Sequence, residues 1–196
     1  DDDARVTRLA HVESDIPTNR VNDGKCDSSG RLWAGTIPCD AVSPGVGALY
    51  RLDPDLSVHT MLRAITVSNG ISWSLDDTLM YYIDSPTRHV DVFDFDANLG
   101  TISNRRVLID MAGDIGVPDG MTVDAEGYLW VAIAGGGQVR RYAPDGRRDR
   151  VIKFPASLTS ACAFGGPHLT DLYVTSISLS LSSHDLEKQP HAGGLF

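Results

Sequence analysis

The stretch NRVNDGKCDSSGRLWAGT, residues 19–36, decides the fold because its pattern returns twice along the chain. In each copy an Asn or Asp next to glycine precedes an apolar strand that carries Trp or Met. The copies are Asn22-Asp23-Gly24 with Leu32-Trp33, Asn69-Gly70 with Leu79-Met80, and Asp119-Gly120 with Leu129-Trp130. A weaker fourth strand, Leu172–Val174, follows, and the copies recur at roughly 40–50 residues, a period typical of propeller blades.

Each full copy divides into four short strands, because β-branched and aromatic runs alternate with Gly, Pro, Asp and Asn turns. The predicted strands are 24–27, 31–37, 48–52 and 58–63, then 71–74, 78–83, 89–95 and 105–109, and finally 121–124, 128–134, 138–142 and 150–154. Four-stranded antiparallel meanders of this length predict an all-β fold, a β-propeller formed by residues 1–196 as a single domain. A β-sandwich also alternates short strands and turns, but its glycines need not stay in phase.

Composition excludes several classes of partner. The 196 residues are 42% hydrophobic and carry a formal net charge of −9, which disfavours nucleic acid and anionic membrane surfaces. We find neither an apolar run of the roughly 20 residues that a membrane helix needs nor a signal-like pattern at Asp1-Asp2-Asp3. Three scattered cysteines favour reduced thiols over a disulfide framework, and we therefore expect a cytoplasmic protein without membrane contact.

The repeated dipeptides suggest a shared site. A single Asn-Gly or Asp-Gly usually marks a hairpin turn, since these residues tolerate positive φ. Three copies in phase, each just before an innermost blade strand, predict instead that Asn22, Asn69 and Asp119 face one another at the mouth of a central channel. The adjacent glycines would let the backbone approach a bound group. Carboxylate and amide oxygens suit Ca²⁺, Mg²⁺ or Mn²⁺, with zinc also possible.

The same residues resemble the SMP-30/gluconolactonase/regucalcin family over almost the whole chain. The matching stretches are residues 19–25, 30–36, 68–74, 81–85, 102–106, 118–121, 127–132, 164–166 and 189–196. Among them are the strings NRVNDGK, SNGISWS and PDGM, in the family's order and spacing.

The resemblance implies a six-bladed propeller, about four blades of which fall within this chain, that hydrolyses sugar lactones with one divalent metal ion. By position, Asn69 and Asp119 match metal ligands, and Arg20 and Asn22 match residues that contact the substrate. Asp23 is assigned to the substrate-binding group beside them. Asp119 would also act as general base, and the metal would polarise the lactone carbonyl. An alternative for Arg20 is a structural salt bridge with Asp23 or Glu13.

Three further expectations follow from the resemblance. The family's remaining metal ligand, a glutamate in an N-terminal blade segment, precedes the first residue of this sequence, which makes activity of this chain doubtful. Open blade edges would then favour self-association. The alternative function is a non-catalytic calcium-binding or scaffold propeller. Independently of the resemblance, the irregular stretch 38–47 is either a partial lid over the site or a surface excursion.

Overall fold

Short runs of β-branched and aromatic residues form antiparallel strands throughout the protein. The computed structural model describes residues 6–40 and 43–196. The N-terminal Asp1-Asp2-Asp3 and two residues of the stretch 38–47 lie outside the described residues, and the lid stays a prediction. Among the described residues, no helix is both long enough and apolar enough to cross a bilayer.

Within the described residues, fourteen strands form three four-stranded antiparallel sheets and one two-stranded sheet. The first sheet contains β1 Asn19–Cys26, β2 Leu32–Pro38, β3 Gly47–Leu52 and β4 Val58–Ile65. The second contains β5 Ser68–Trp73, β6 Leu79–Asp84, β7 His89–Asp96 and β8 Thr101–Asp110. The third contains β9 Val117–Val123, β10 Leu129–Ala134, β11 Gln138–Tyr142 and β12 Arg148–Lys153, and the fourth contains β13 Thr159–Gly165 and β14 Asp171–Ser176. Within each sheet the strands follow chain order as a meander.

The predicted all-β class and the three four-stranded sheets are confirmed, with three differences. The first strand of each full sheet begins upstream of its predicted start, so that the repeated Asn and Asp residues lie inside the strand and not before it. The fourth unit contains two strands where four would complete a blade. One short helix, α1 Ser183–Lys188, was not predicted; the Ser182 side chain caps it by accepting from the Asp185 N–H.

The sheets pack face to face through their apolar side chains. Strand β5 packs against β1 on one side and β9 on the other, and β9 packs against β13. Between the first two sheets, the rings of Trp33 and Trp73 meet edge to face with centroids 6.1 Å apart. Between the third and fourth sheets, Trp130 meets Phe164 in the same way at 5.7 Å. The first strands of the four sheets are therefore neighbours in space although they are distant in sequence.

One aspartate connects the turn before the Trp-containing strand of the first and third sheets to the core through hydrogen bonds. Asp27 accepts hydrogen bonds from the Trp33 indole at 2.9 Å and from Arg31 Nε at 2.7 Å, while its other oxygen accepts from backbone N–H groups of the turn. Asp124 repeats this arrangement with the Trp130 indole at 2.8 Å and Arg141 Nε at 2.8 Å. In the second sheet, the side chain of Met80 has no N–H group equivalent to the indole, and the turn residue is Ser74.

The three thiols differ in accessibility. Cys26 and Cys39 are exposed, whereas Cys162 is buried, with its Sγ donating to the Trp130 carbonyl at 3.3 Å. Burial raises the pKa of Cys162 to about 12. Because the thiolate is the reactive species, we expect a thiol reagent to label two cysteines rapidly and Cys162 only after unfolding. Mass spectrometry of the labelled protein measures this, and rapid labelling of all three would contradict the burial of Cys162.

Candidate functional site

Three bulges position the repeated site residues. In β1, residues 22–23 lie opposite a single residue of β2, because Val21 pairs with Thr36 and Gly24 pairs with Ala34. Residues 69–70 in β5 and 119–120 in β9 form the same two-against-one arrangement with their neighbouring strands. A bulge adds one residue to a strand, bends it and redirects the side chain there. The fold thus repeats one local distortion at equivalent places in three sheets.

The glycines of the repeat serve the packing between sheets. A methyl group at Gly70 would lie 2.7 Å from the Asp119 carbonyl oxygen, and one at Gly120 would lie 2.8 Å from the Ser160 carbonyl oxygen. Both glycines therefore allow the first strand of the next sheet to approach closely. That they also let the backbone approach a bound group stays a prediction. The hairpin-turn alternative is also wrong, since Gly24, Gly70 and Gly120 lie within strands.

The five predicted site residues line one pocket, whose volume is about 390 Å³. They come from the first three sheets, and residues from the fourth sheet and the segment after it complete the wall. The lining residues are Arg20, Asn22, Asp23, Ile37, Val67, Asn69, Asp119, Gly120, Ser160, Ala161 and Ile177. The structure brings together every side chain that the sequence singled out, while their roles in binding and catalysis stay predictions.

A chain of hydrogen bonds fixes the two amides of the pocket. Asn22 Nδ2 donates to Asn69 Oδ1 and to the Ser68 carbonyl, both at 2.8 Å. Asn69 Nδ2 donates to Ser85 Oγ at 2.7 Å, and Ser85 Oγ donates to the Pro118 carbonyl at 2.6 Å. The Ser85 hydroxyl therefore sets the orientation of the Asn69 amide and links the second sheet to the third beside Asp119.

Arg20 lies on the exposed part of β1. Its Nη1 donates to Asn22 Oδ1 at 3.1 Å and to the Val21 carbonyl at 3.2 Å. The ion pairs among the described residues do not include Arg20, although Asp23 and Glu13 were its proposed partners. Glu13 instead accepts from Asn19, Thr36 and Tyr50. The salt-bridge alternative is thus not what the structure contains.

Two carboxylates give the pocket its negative character. Burial raises the pKa of Asp119 to about 7, and the charge of Asp23 adds to this, against a hydrogen bond from the Gly120 N–H. Burial also raises the pKa of Asp23, although the Gly24 N–H and the charge of Lys25 oppose it. Lys25 reaches across to β9, where its Nζ donates to the Met121 carbonyl at 3.1 Å, and burial lowers its pKa.

The chemistry of these side chains fits a hard divalent cation. Asp119 and Asp23 supply carboxylate oxygens, and Asn69 Oδ1 keeps a second lone pair after accepting from Asn22. Across residues 6–40 and 43–196, no group of three or more His, Cys, Asp and Glu side chains is arranged to hold a metal. The residues present therefore fit an oxygen-liganded ion and fill part of a Ca²⁺ shell of about six to eight oxygens.

Sequence reasoning missed two polar residues near the site. Ser85 opens a 3₁₀ turn, Ser85–Thr87, directly after β6, and only its contact with Asn69 reveals its place. Ser160 lies in β13, where the repeat has lost its glycine. The signal available in the sequence was the position of Leu172–Val174, which marks a fourth unit in phase with the other three.

Comparisons with known proteins identify the family of the chain. The family model SMP-30/Gluconolactonase/LRE-like region matches residues 1–178. Regucalcin from Xenopus laevis is 43% identical over 201 aligned residues, which cover 100% of this chain and 67% of that protein. A luciferin-regenerating enzyme has a TM-score of 0.89 at 39% identity, covering 95% of this chain and 63% of that chain.

Another solved structure, described as a calcium-binding protein, regucalcin, from Agrobacterium tumefaciens, has a TM-score of 0.93 at 35% identity. That match covers 97% of this chain and 64% of the other. The chain thus spans about two thirds of the length of its relatives. The match to the family model and the regucalcin identity extend over nearly the whole sequence, and the chain belongs to the SMP-30/gluconolactonase/LRE-like family.

Proposed function

We propose that the protein is a metal-dependent lactonase that hydrolyses sugar lactones on a β-propeller. The observation that carries the proposal is the convergence of Asn22, Asn69 and Asp119, from equivalent bulges in three sheets, on one pocket. The side-by-side packing of β1, β5, β9 and β13 supports the propeller, in which these are the innermost strands around a common axis. The name of the family to which the chain belongs includes gluconolactonase.

The proposed metal ligands from this chain are Asn69 and Asp119. When bound, a divalent cation supplies positive charge that stabilises the oxygen of the lactone carbonyl as it becomes negative. Ser85 holds the Asn69 amide so that its oxygen and not its nitrogen is directed away from the 3₁₀ turn. The half-buried Asp119 carboxylate shares the pocket with that amide.

The remaining steps use groups of the chain. Asp119 accepts a proton from the attacking water as the water oxygen bonds to the carbonyl carbon. The ring C–O bond then breaks, and the proton returns to the departing ring oxygen, which gives the open hydroxy acid. Arg20 and Asn22 lie on the exposed side of the pocket. There the N–H groups of Arg20 can donate to oxygens of the substrate, and Asn22 Oδ1, which keeps one lone pair after accepting from Arg20, can accept from a substrate hydroxyl.

Metal removal tests the proposal. Acid release from gluconolactone, followed with a pH indicator and corrected for spontaneous opening, is expected to stop after EDTA treatment. Activity is expected to return when Ca²⁺, Mn²⁺, Zn²⁺ or Mg²⁺ is added in excess. A metal-loaded protein that binds its ion and yet gives no acid above the background would contradict the lactonase. It would favour the non-catalytic calcium-binding function.

Ser85 provides a second test, on metal affinity. Ser85→Ala removes the acceptor of Asn69 Nδ2, so the Asn69 amide is held only by the hydrogen bond from Asn22 and its orientation is less fixed. We expect the Kd for Mn²⁺ or Ca²⁺ to rise about three- to tenfold, as loss of one hydrogen bond predicts. Isothermal titration calorimetry measures the change, and Ser85→Thr should largely restore affinity because it keeps the hydroxyl.

Thr87→Ala is the matched control for Ser85. Thr87 lies in the same 3₁₀ turn, and its hydroxyl donates to the Asp84 carbonyl at 2.7 Å. Its removal is expected to leave the Kd unchanged within about twofold, since the contact is structural. Equal effects of the two substitutions would mean that Ser85 acts through the stability of the turn.

A further inference from the structure

The fourth sheet repeats the bulge of the other three. In β13, Thr159 pairs with Ser176 and Ala161 pairs with Thr175, so Ser160 is the extra residue between two consecutive pairs. Ser160 comes directly after the last paired residue before the bulge. The same position in the first strands of the other three sheets is occupied by Asn22, Asn69 and Asp119. By its place in the fold, Ser160 is the fourth member of the set that forms the site.

Contacts place Ser160 beside the other members. Its carbonyl oxygen lies against Gly120, next to Asp119, because β13 packs on β9. Ser160 also lines the same pocket as Asn22, Asn69 and Asp119. Its position thus follows from two independent features, the register of its sheet and the wall of the pocket.

The chemistry at this position differs from that of the other three. Ser160 Oγ lies 2.9 Å from Thr175 Oγ1, and either hydroxyl can be the donor. Each hydroxyl has one donor and two acceptor lone pairs, so the pair keeps a donor and several acceptors after bonding to itself. A neutral pair of this kind suits the hydroxyl groups of a polyol, which also donate and accept. Because both hydroxyl groups are uncharged, the pair does not compete with the carboxylates of the pocket for a cation.

We propose that Ser160, supported by Thr175, is a specificity-determining residue that hydrogen-bonds hydroxyl groups of the ligand. The identity of the ligand as a sugar lactone rests on the proposed function, whereas the place of Ser160 in the site does not. Ser160 therefore distinguishes a hydroxylated lactone from a lactone without hydroxyl groups, because only the hydroxylated lactone can form a hydrogen bond with the Ser160 hydroxyl.

The test compares Ser160→Ala with the wild type on gluconolactone and on δ-valerolactone, which has the same ring size and no hydroxyl groups. We expect kcat/KM for gluconolactone to fall about three- to tenfold, the effect of one neutral hydrogen bond, with δ-valerolactone unchanged within about twofold. Ser160→Thr keeps a hydroxyl group and should therefore retain part of the preference for gluconolactone that Ser160→Ala loses. Ser103→Ala, on the outermost strand β8, is the matched control and should change neither substrate.

An equal loss on both lactones, or no loss on either, would overturn the inference. Calorimetric titration with gluconate and with 5-hydroxyvalerate separates this inference from the proposed function. If the wild type hydrolyses no lactone but binds gluconate, the lactonase fails, and a gluconate-selective loss of affinity in Ser160→Ala still supports the role of Ser160. If the wild type neither hydrolyses lactones nor binds gluconate, both proposals are wrong.

Discussion

Asp119→Asn is expected to lower lactone hydrolysis by about 100- to 1000-fold, which is the loss that removal of a general base produces. The amide has nearly the same shape as the carboxylate, so the pocket keeps its form, but it cannot take the proton of water. It also removes one of the two carboxylates that attract a cation, and metal affinity should fall as well. Initial rates at saturating metal separate the catalytic loss from the loss of affinity.

The fold of Asp119→Asn should survive. In the metal-free protein, the raised pKa means that folding favours the protonated carboxyl. The resulting contribution of Asp119 to the free energy of unfolding is fully present below the ordinary pKa of 3.8 and is lost as the pH rises through about 7. The variant does not titrate at this position, and at neutral pH its Tm without metal should equal or exceed that of the wild type. Thermal unfolding across this range measures the difference.

Asp94→Asn is the matched control. It makes the same exchange at an exposed carboxylate that accepts from Asn104 and Arg106 on the outer part of the second sheet. Its activity is expected to stay within about twofold of the wild type, since exposed ion pairs contribute little. Near wild-type turnover by Asp119→Asn at saturating metal would remove Asp119 from the mechanism.

Asp27→Ala is expected to destabilise the protein by about 3–5 kcal/mol, because removing one partner leaves a buried charge uncompensated. The side chain of Asp27 is fully buried and that of Arg31 is only 7% exposed. Without the carboxylate, the Trp33 indole N–H and the Arg31 guanidinium lose an acceptor in the core. Urea unfolding followed by tryptophan fluorescence measures the change.

The turn of the second sheet offers the comparison for Asp27. Asp76 also accepts from its turn, from the Ser74 and Thr78 hydroxyls, but it is exposed to solvent and holds no indole. Asp76→Ala should therefore shift the urea midpoint far less than Asp27→Ala. Similar shifts in the two variants would mean that the indole and guanidinium contacts of Asp27 contribute little.

The sequence predicted most of the strand order, because period and turn chemistry are local properties. Short apolar runs between Asp-Gly and Pro-Asp turns leave few alternatives to an antiparallel meander, and all three full sheets follow it. Strand beginnings were less accurate. The strand β1 extends upstream of Gly24 because a bulge lets pairing continue past Asn22 and Asp23, and a bulge leaves no compositional signal as clear as a turn.

The repeated residues of the candidate site were predictable from the sequence, but the residues that contact them were not. Asn22, Asn69 and Asp119 were visible because they repeat in phase. Ser85 and Ser160 were not visible, since a single serine carries little information until its neighbours are known. The packing role of Gly70 and Gly120 was also not visible, because their contact lies in the adjacent sheet and not in their own strand.

The sequence by itself therefore determined which residues are repeated, the all-β class and the antiparallel order of the strands. The tertiary structure decided what those residues face: a pocket shared by four sheets, a serine that orients Asn69, and a pair of hydroxyl groups at the fourth bulge. The physical reason is that hydrogen bonding within a meander connects neighbours in the chain. The packing of one sheet on the next instead joins residues that the sequence separates, and the site lies where the sheets meet.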